Sequence, residues 1–154
     1  MEFNIEQGRK LWGLTINRTR DLARQIVHYI PENTEAPHRR MLGFIVAFAV
    51  TKKRHLREEK GLQELAGVLN VQDLRNIQES EHMPLYCLDV LTNYLRIAYS
   101  EKRISDHILQ LMDNNITTFQ DTLGGCERIK KTPIPVAFVV HMRNDLQMIW
   151  EKEP

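Results

Sequence analysis

The stretch Gly124-Gly125-Cys126-Glu127-Arg128-Ile129-Lys130-Lys131-Thr132-Pro133-Ile134-Pro135 decides how this chain is read. It sets a glycine pair, an adjacent Glu-Arg pair and two spaced prolines in one run, an order that no amphipathic helix needs. Gly124 and Gly125 have no Cβ and are expected to weaken the end of the helix before them. Pro133 and Pro135 donate no backbone hydrogen bond and push Thr132 and Ile134 away from helical angles. The backbone is therefore expected to extend or turn here before Val136 to Trp150 resumes a helix. Beside that break, Glu127 can accept exposed backbone N–H groups, while Arg128 can reach carbonyls or a neighbouring carboxylate. The pair reads first as an anchor for the turn.

Working outward, apolar residues recur at steps of three and four. Ser105 is placed to cap a helix in which Ile108, Leu111, Met112, Asn115, Ile116, Phe119 and Leu123 face inward. Pro84 opens another, carrying Leu85, Leu88, Leu91, Leu95 and Ala98. Between Gln7 and Ile30 the residues Trp12, Ile16, Ala23, Ile26, Val27 and Ile30 predict one stripe on a long helix, which Pro31 ends. Asn33 and Thr34 are candidate caps ahead of Pro37, and a helix follows from about His38 to Arg57. Its middle, Met41 to Val50, is apolar all round and reads as a buried core helix. Short helices are expected at 61–66 and 71–78. There is no strand alternation, so the fold class is all-α, a bundle of long and short helices. Its expected core holds Trp12, Phe44, Phe48, Leu88, Leu91, Leu95, Ile108 and Phe119.

Composition narrows the classes further. A chain of 154 residues, 42% hydrophobic and 27% charged, can bury one core, and a single helical domain over 1–154 is expected. A net charge of +1 supplies no global field toward nucleic acid or anionic membrane. A bilayer span needs about 20 apolar residues. The longest apolar run, Met41 to Val50, has ten, and Met1-Glu2-Phe3-Asn4 lacks the basic start of a secretory signal.

Candidate chemistry is sparse. His28, His38, His55, His82, His107 and His141 are scattered singly, and none forms the H-x-x-x-H face that puts two imidazoles on one side of a helix. No metal is expected, and His55 and His141 read as structural. Cys87 and Cys126 show no ligand spacing and read as buried thiols in a reducing setting. Ser80, Ser100 and Ser105 lack a nucleophile elbow, and Cys126 lacks a demonstrable base. Asp113 and Asp121 stand about 12 Å apart by helical rise, too far for paired carboxylate chemistry. An enzyme is not expected. Residues 39–60 hold seven Lys or Arg against two Glu, a run that reads either as a solvated face or as a source of electrostatic attraction. Aromatic residues are only 7% of the chain and are not interleaved with that run, which argues against nucleic acid.

The opening stretch resembles the motif of the bestrophin family of pentameric anion channels, close to G-G-C-E-R-I-x-x-T-P-I-P. There a small residue, an aromatic and a His follow, as Ala137, Phe138 and His141 do here. Glu6-Gln7-Gly8-Arg9-Lys10-Leu11-Trp12-Gly13 with Asn17-Arg18-Thr19-Arg20-Asp21-Leu22-Ala23-Arg24-Gln25 is similar to the segment these channels carry after their second membrane helix. Ala47-Phe48 with Lys53-Arg54-His55-Leu56-Arg57 is similar to a third block. The three blocks stand in family order over about residues 6–143.

The resemblance implies that five copies surround a pore. Thr132, Pro133 and Ile134 would then form the cytosolic aperture, and Gly124, Gly125, Glu127, Arg128 and Pro135 would hold that turn. Thr132 is the side chain expected to face the pore. Near such a path Lys52, Lys53, Arg54 and Arg57 would raise local anion concentration. Implied partners are chloride or other anions, sister subunits of a homopentamer, and the membrane through helices that lie outside this sequence. No cofactor, metal or nucleic acid is implied. The calcium clasp of animal members uses a downstream acidic segment, so calcium gating is not expected. The chain is expected to be the cytosolic middle of such a channel, at the cytosolic side of the membrane and non-conducting alone. The alternative from another class is a soluble helical adaptor that binds a protein through the basic helix and an apolar face.

Overall fold

A computed structural model describes residues 2–32 and 37–132. Four long helices form a ring of neighbours: α1 (Glu2–Tyr29) lies against α2 (His38–Leu56) and α5 (Asp106–Lys131), and α4 (Met83–Ser100) lies against the same two. A 3-10 turn (Gln63–Leu65) and the short α3 (Val71–Glu79) connect α2 to α4. All helices among the described residues fit the expected all-α class. The expected short helix at 61–66 is only this 3-10 turn.

Local chemistry sets the boundaries. The Ser105 hydroxyl accepts from the Ile108 N–H at 3.3 Å, as a cap should. Asn70 caps α3 by accepting from the Asp73 N–H at 2.7 Å. Asp73 is buried, and Arg40 clamps it with two bonds of 3.0 and 2.9 Å, tying α3 to α2. Pro84 sits in the first turn of α4, where its missing N–H costs nothing, behind His82 as N-cap. Pro37 takes the N-cap position of α2 rather than its first turn. Asn33 and Thr34, its candidate caps, lie outside the described residues.

The core draws on all four long helices, Leu22, Ile26 and Ile30 of α1 included. Phe44, Phe48, Leu88, Leu91, Leu95 and Phe119 are all buried, as expected, and the Phe48 and Phe119 rings pack with centroids 4.8 Å apart. Burying each such side chain stabilises the fold by roughly 1.5–3 kcal/mol. Ile108 is only partly buried against this core. Trp12 is half-buried. Val46, inside the run expected to be buried on every face, is 46% exposed because it points away from the ring. Gly43 lets the loop after the 3-10 turn rest on α2: a Cβ there would stand 2.7 Å from Leu69 and 3.1 Å from the Val68 carbonyl oxygen.

The inward face of α1 departs from the expected stripe. Ile16 and Val27 are exposed, whereas Thr15, Leu22, Gln25, Ile26 and Ile30 are buried. The face is shifted because polar residues meet partners on α5. Asn115 donates to the Gln25 side-chain oxygen at 2.8 Å, and the Thr15 and Thr122 hydroxyl oxygens stand 3.0 Å apart. Toward the end of α5, a Cβ on Gly125 would lie 2.8 Å from Leu11 Cδ1. These contacts fix the antiparallel register of α1 and α5.

The expected break at the glycine pair does not occur. α5 runs without interruption from Asp106 to Lys131. Glycine inside a helix costs about 1 kcal/mol relative to alanine. At Gly125 the close approach of Leu11 explains its presence. Thr132 ends the helix instead, with extended backbone angles (φ −72°, ψ 118°) ahead of Pro133.

Candidate functional site

Thr132 is exposed at the C-cap of α5. Its N–H donates to the carbonyls of Arg128 and Ile129 at 3.0 and 3.3 Å, and its hydroxyl donates to the Arg128 carbonyl at 2.7 Å. Pro133, Ile134 and Pro135, the other residues expected at or behind an aperture, lie outside the described residues. So do Ala137, Phe138 and His141.

Glu127 holds a different position from the one expected. It is inside α5, not beside a break, and accepts from side chains rather than from free backbone N–H groups. Its Oε1 is 2.8 Å from His55 Nε2, near the end of α2, and 3.3 Å from His82 Nε2, at the start of α4. The two imidazole rings pack with centroids 4.2 Å apart. Burial opposes the charge on Glu127, but the two histidine hydrogen bonds outweigh it and hold the carboxyl below its usual range. One side chain thus fastens three helix ends, so the anchoring expected of Glu127 is present with other partners. Arg128, expected to anchor beside it, lies exposed.

His55 and His82, read singly along the sequence, therefore converge. They lie 72 and 45 residues from Glu127, and no local spacing could have shown the meeting. His82 also caps α4, its Nδ1 standing 3.4 Å from the Leu85 N–H. That bond assigns the Nε2 proton to His82, which then donates to Glu127.

The basic run splits into unlike parts. Lys52 is fully buried, with its Nζ donating to Thr15 and Thr122 at 2.9 and 3.2 Å and lying 4.5 Å from the centre of the Trp12 ring. Burial pushes its pKa down, against a smaller opposing pull from Cys126. Lys52 therefore does not sit on a solvated face. Lys53 pairs with Glu64 at 2.6 Å, and Arg54 pairs with Glu59 and Glu64. Arg57 is exposed. The Lys52 layer is the second feature that sequence reading missed, since an amphipathic pattern assigns a lysine to solvent by default.

Comparison with known proteins agrees with the motif. The family model described as bacterial/fungal bestrophin protein matches residues 5–150. The voltage-dependent anion channel-forming protein of Synechocystis sp. is 36% identical over 140 residues, covering 89% of this chain and 46% of that protein. Its counterpart from Nostoc sp. is 33% identical over the same shares. A crystal structure of a bacterial bestrophin homolog from Klebsiella pneumoniae superposes with a TM-score of 0.81 at 29% identity, over 91% of this chain and 53% of that one. The chain spans about half the length of the relatives it matches. It belongs to the bestrophin family.

Proposed function

We propose that this segment forms the cytosolic end of the ion pathway of a bestrophin-like anion channel, with five copies around a common axis. The observation that carries the reading is the end of α5. The helix runs without interruption through the glycine pair, is fastened by Glu127 to the ends of α2 and α4, and presents Thr132 to solvent at its C-cap. A constriction needs such a rigid frame, because a side chain that wanders sets no fixed radius. The names of the Synechocystis and Nostoc relatives, both anion channel-forming proteins, support the same reading.

In this arrangement Thr132, Pro133 and Ile134 make the narrow ring with Pro135 behind them, and Glu127, Gly125 and the Arg128 carbonyl hold the helix end that carries it. The Thr132 hydroxyl proton is engaged by the Arg128 carbonyl, so it serves a passing anion only by leaving that bond. Exposed Arg57, Arg128 and Lys131 supply positive potential near the end of the helix, whereas Lys52 is sealed in the core and Lys53 and Arg54 are paired. Among the described residues no helix is long and apolar enough to cross a membrane. Reconstituted alone in liposomes, the chain should give no chloride flux above empty vesicles.

The test uses a full-length bestrophin carrying this segment. Thr132→Ile and Thr132→Ala should change relative anion permeability with assembly intact, the former by raising the cost of dehydration at the ring. Ile134→Ala is the matched variant for the competing pore-facing position. Unaltered permeability ratios in all three, with normal surface assembly, would leave the turn as a structural corner.

A further inference from the structure

We propose that His55, His82 and Glu127 form a binding site for a divalent transition-metal ion of the zinc type. Their ligand atoms, two imidazole nitrogens and one carboxylate oxygen, all lie within 4.8 Å of one another. Zinc bonds of about 2.0–2.2 Å in tetrahedral array put neighbouring ligand atoms roughly 3.3–3.5 Å apart. The His82–Glu127 separation of 3.3 Å already fits, and the His55–Glu127 separation of 2.8 Å needs only a small opening. The three residues come from the end of α2, the start of α4 and the last turns of α5, so the packed bundle brings the donors together before any ion arrives.

The donor set selects the ion. Two nitrogens and one oxygen suit Zn2+ or Co2+, whereas Ca2+ and Mg2+ require a shell of oxygens. The site opens onto a groove of about 640 Å³ whose walls include Glu58, Glu59, Glu81, Lys60, Lys130 and Lys131, with Lys130 paired to Glu58 at 3.5 Å. The open side leaves a coordination position for water. Binding through Nε2 moves the His82 ring proton to Nδ1 and gives up the long 3.4 Å cap to Leu85, which is a small loss beside three metal bonds. The same corner is a complete hydrogen-bonded fastening without an ion, so the metal adds to an existing joint rather than creating the fold. This inference concerns binding by the chain itself and does not depend on the channel reading.

The experiment uses the full chain after chelator treatment. Co2+ titration should give the visible bands of a tetrahedral site with nitrogen ligands, saturating at one ion per chain, and Zn2+ should compete it away. Zn2+ should also raise the melting temperature, and equal concentrations of Ca2+ or Mg2+ should not. His82→Asn keeps a good N-cap while removing the imidazole, and Glu127→Gln keeps the size of the side chain. Each should weaken Co2+ binding at least tenfold while circular dichroism stays helical. A wild-type chain with no tetrahedral Co2+ spectrum would overturn the proposal. So would Co2+ affinity that both variants leave unchanged, which would assign the ion to other histidines.

Discussion

The two long interfaces of this bundle are built on opposite principles. Where α2 meets α4 and the middle of α5, the contact is mainly apolar: Phe44, Phe48, Leu88, Leu91, Leu95 and Phe119 are all sealed from water, with Thr51 against Cys87 among them. Where α1 meets α5, Leu22 and Ile26 share the buried face with polar Thr15, Gln25, Asn115 and Thr122, Lys52 reaches in from α2 to both threonines, and a glycine lies under Leu11. The first interface supplies stability through area removed from water. The second returns little net energy from its hydrogen bonds, because each replaces bonds to water. What it supplies is register, since a shift of one residue along α1 would leave buried donors and acceptors without partners.

The contrast can be broken most forcefully at the apolar interface. Phe48→Ala should cost about 3–5 kcal/mol in chemical denaturation, because the Phe119 ring packed against it would line the resulting cavity. A loss no larger than that of a surface substitution would deny that the stability lies there. At the polar interface, Gly125→Val should cost about 1–3 kcal/mol by driving into Leu11. Its neighbour is the control. Among the described residues a Cβ on Gly124 would meet only Arg128 Nη1, at 3.6 Å, so Gly124→Ala should stabilise by about 0.5–1 kcal/mol.

Lys52 gives the subtlest test. With the ammonium gone, Thr15 still donates to the Leu11 carbonyl at 2.9 Å and Thr122 to the Phe119 carbonyl at 2.8 Å, so neither hydroxyl is stranded. Lys52→Met should therefore stabilise the fold by about 1 kcal/mol or more, as replacing buried charge with apolar bulk often does. The sign of the pH effect follows from the lowered lysine pKa. Between the folded value and the ordinary 10.5, the unfolded chain binds the proton more tightly, so wild-type stability should rise with pH across that interval. In Lys52→Met that rise should disappear. A destabilised variant would mean that the Trp12 face and two hydroxyls stabilise the ammonium more than water does.

The apolar interface was legible in the sequence for a simple reason. Leu88, Leu91 and Leu95 repeat at helical spacing, and Ser105 and Pro84 announce helix starts by local chemistry alone. The polar interface was not, because Thr15 and Thr122 carry no periodic signal until the chain has folded. Gly124-Gly125 misled as an expected break because glycine looks the same whether it loosens a backbone or admits a neighbour. Only Leu11, far away in sequence, decides between the two. The Glu127 corner was half legible: the motif pointed to an anchor, but its partners His55 and His82 are brought in by tertiary packing.

Whether this segment lines an anion path is tested most directly by a thiol at the end of α5. Cys87 and Cys126 are both buried, so a cysteine placed at position 132 is the accessible target among the described residues. In a full-length bestrophin into which residues 5–150 are grafted, Thr132→Cys channels should be modified by charged methanethiosulfonate reagents applied from the cytosolic side. A negatively charged adduct should reduce chloride current and a positively charged one should spare or raise it, while the unmodified graft responds to neither. Complete labelling of position 132 with no change in current from either reagent would contradict the account.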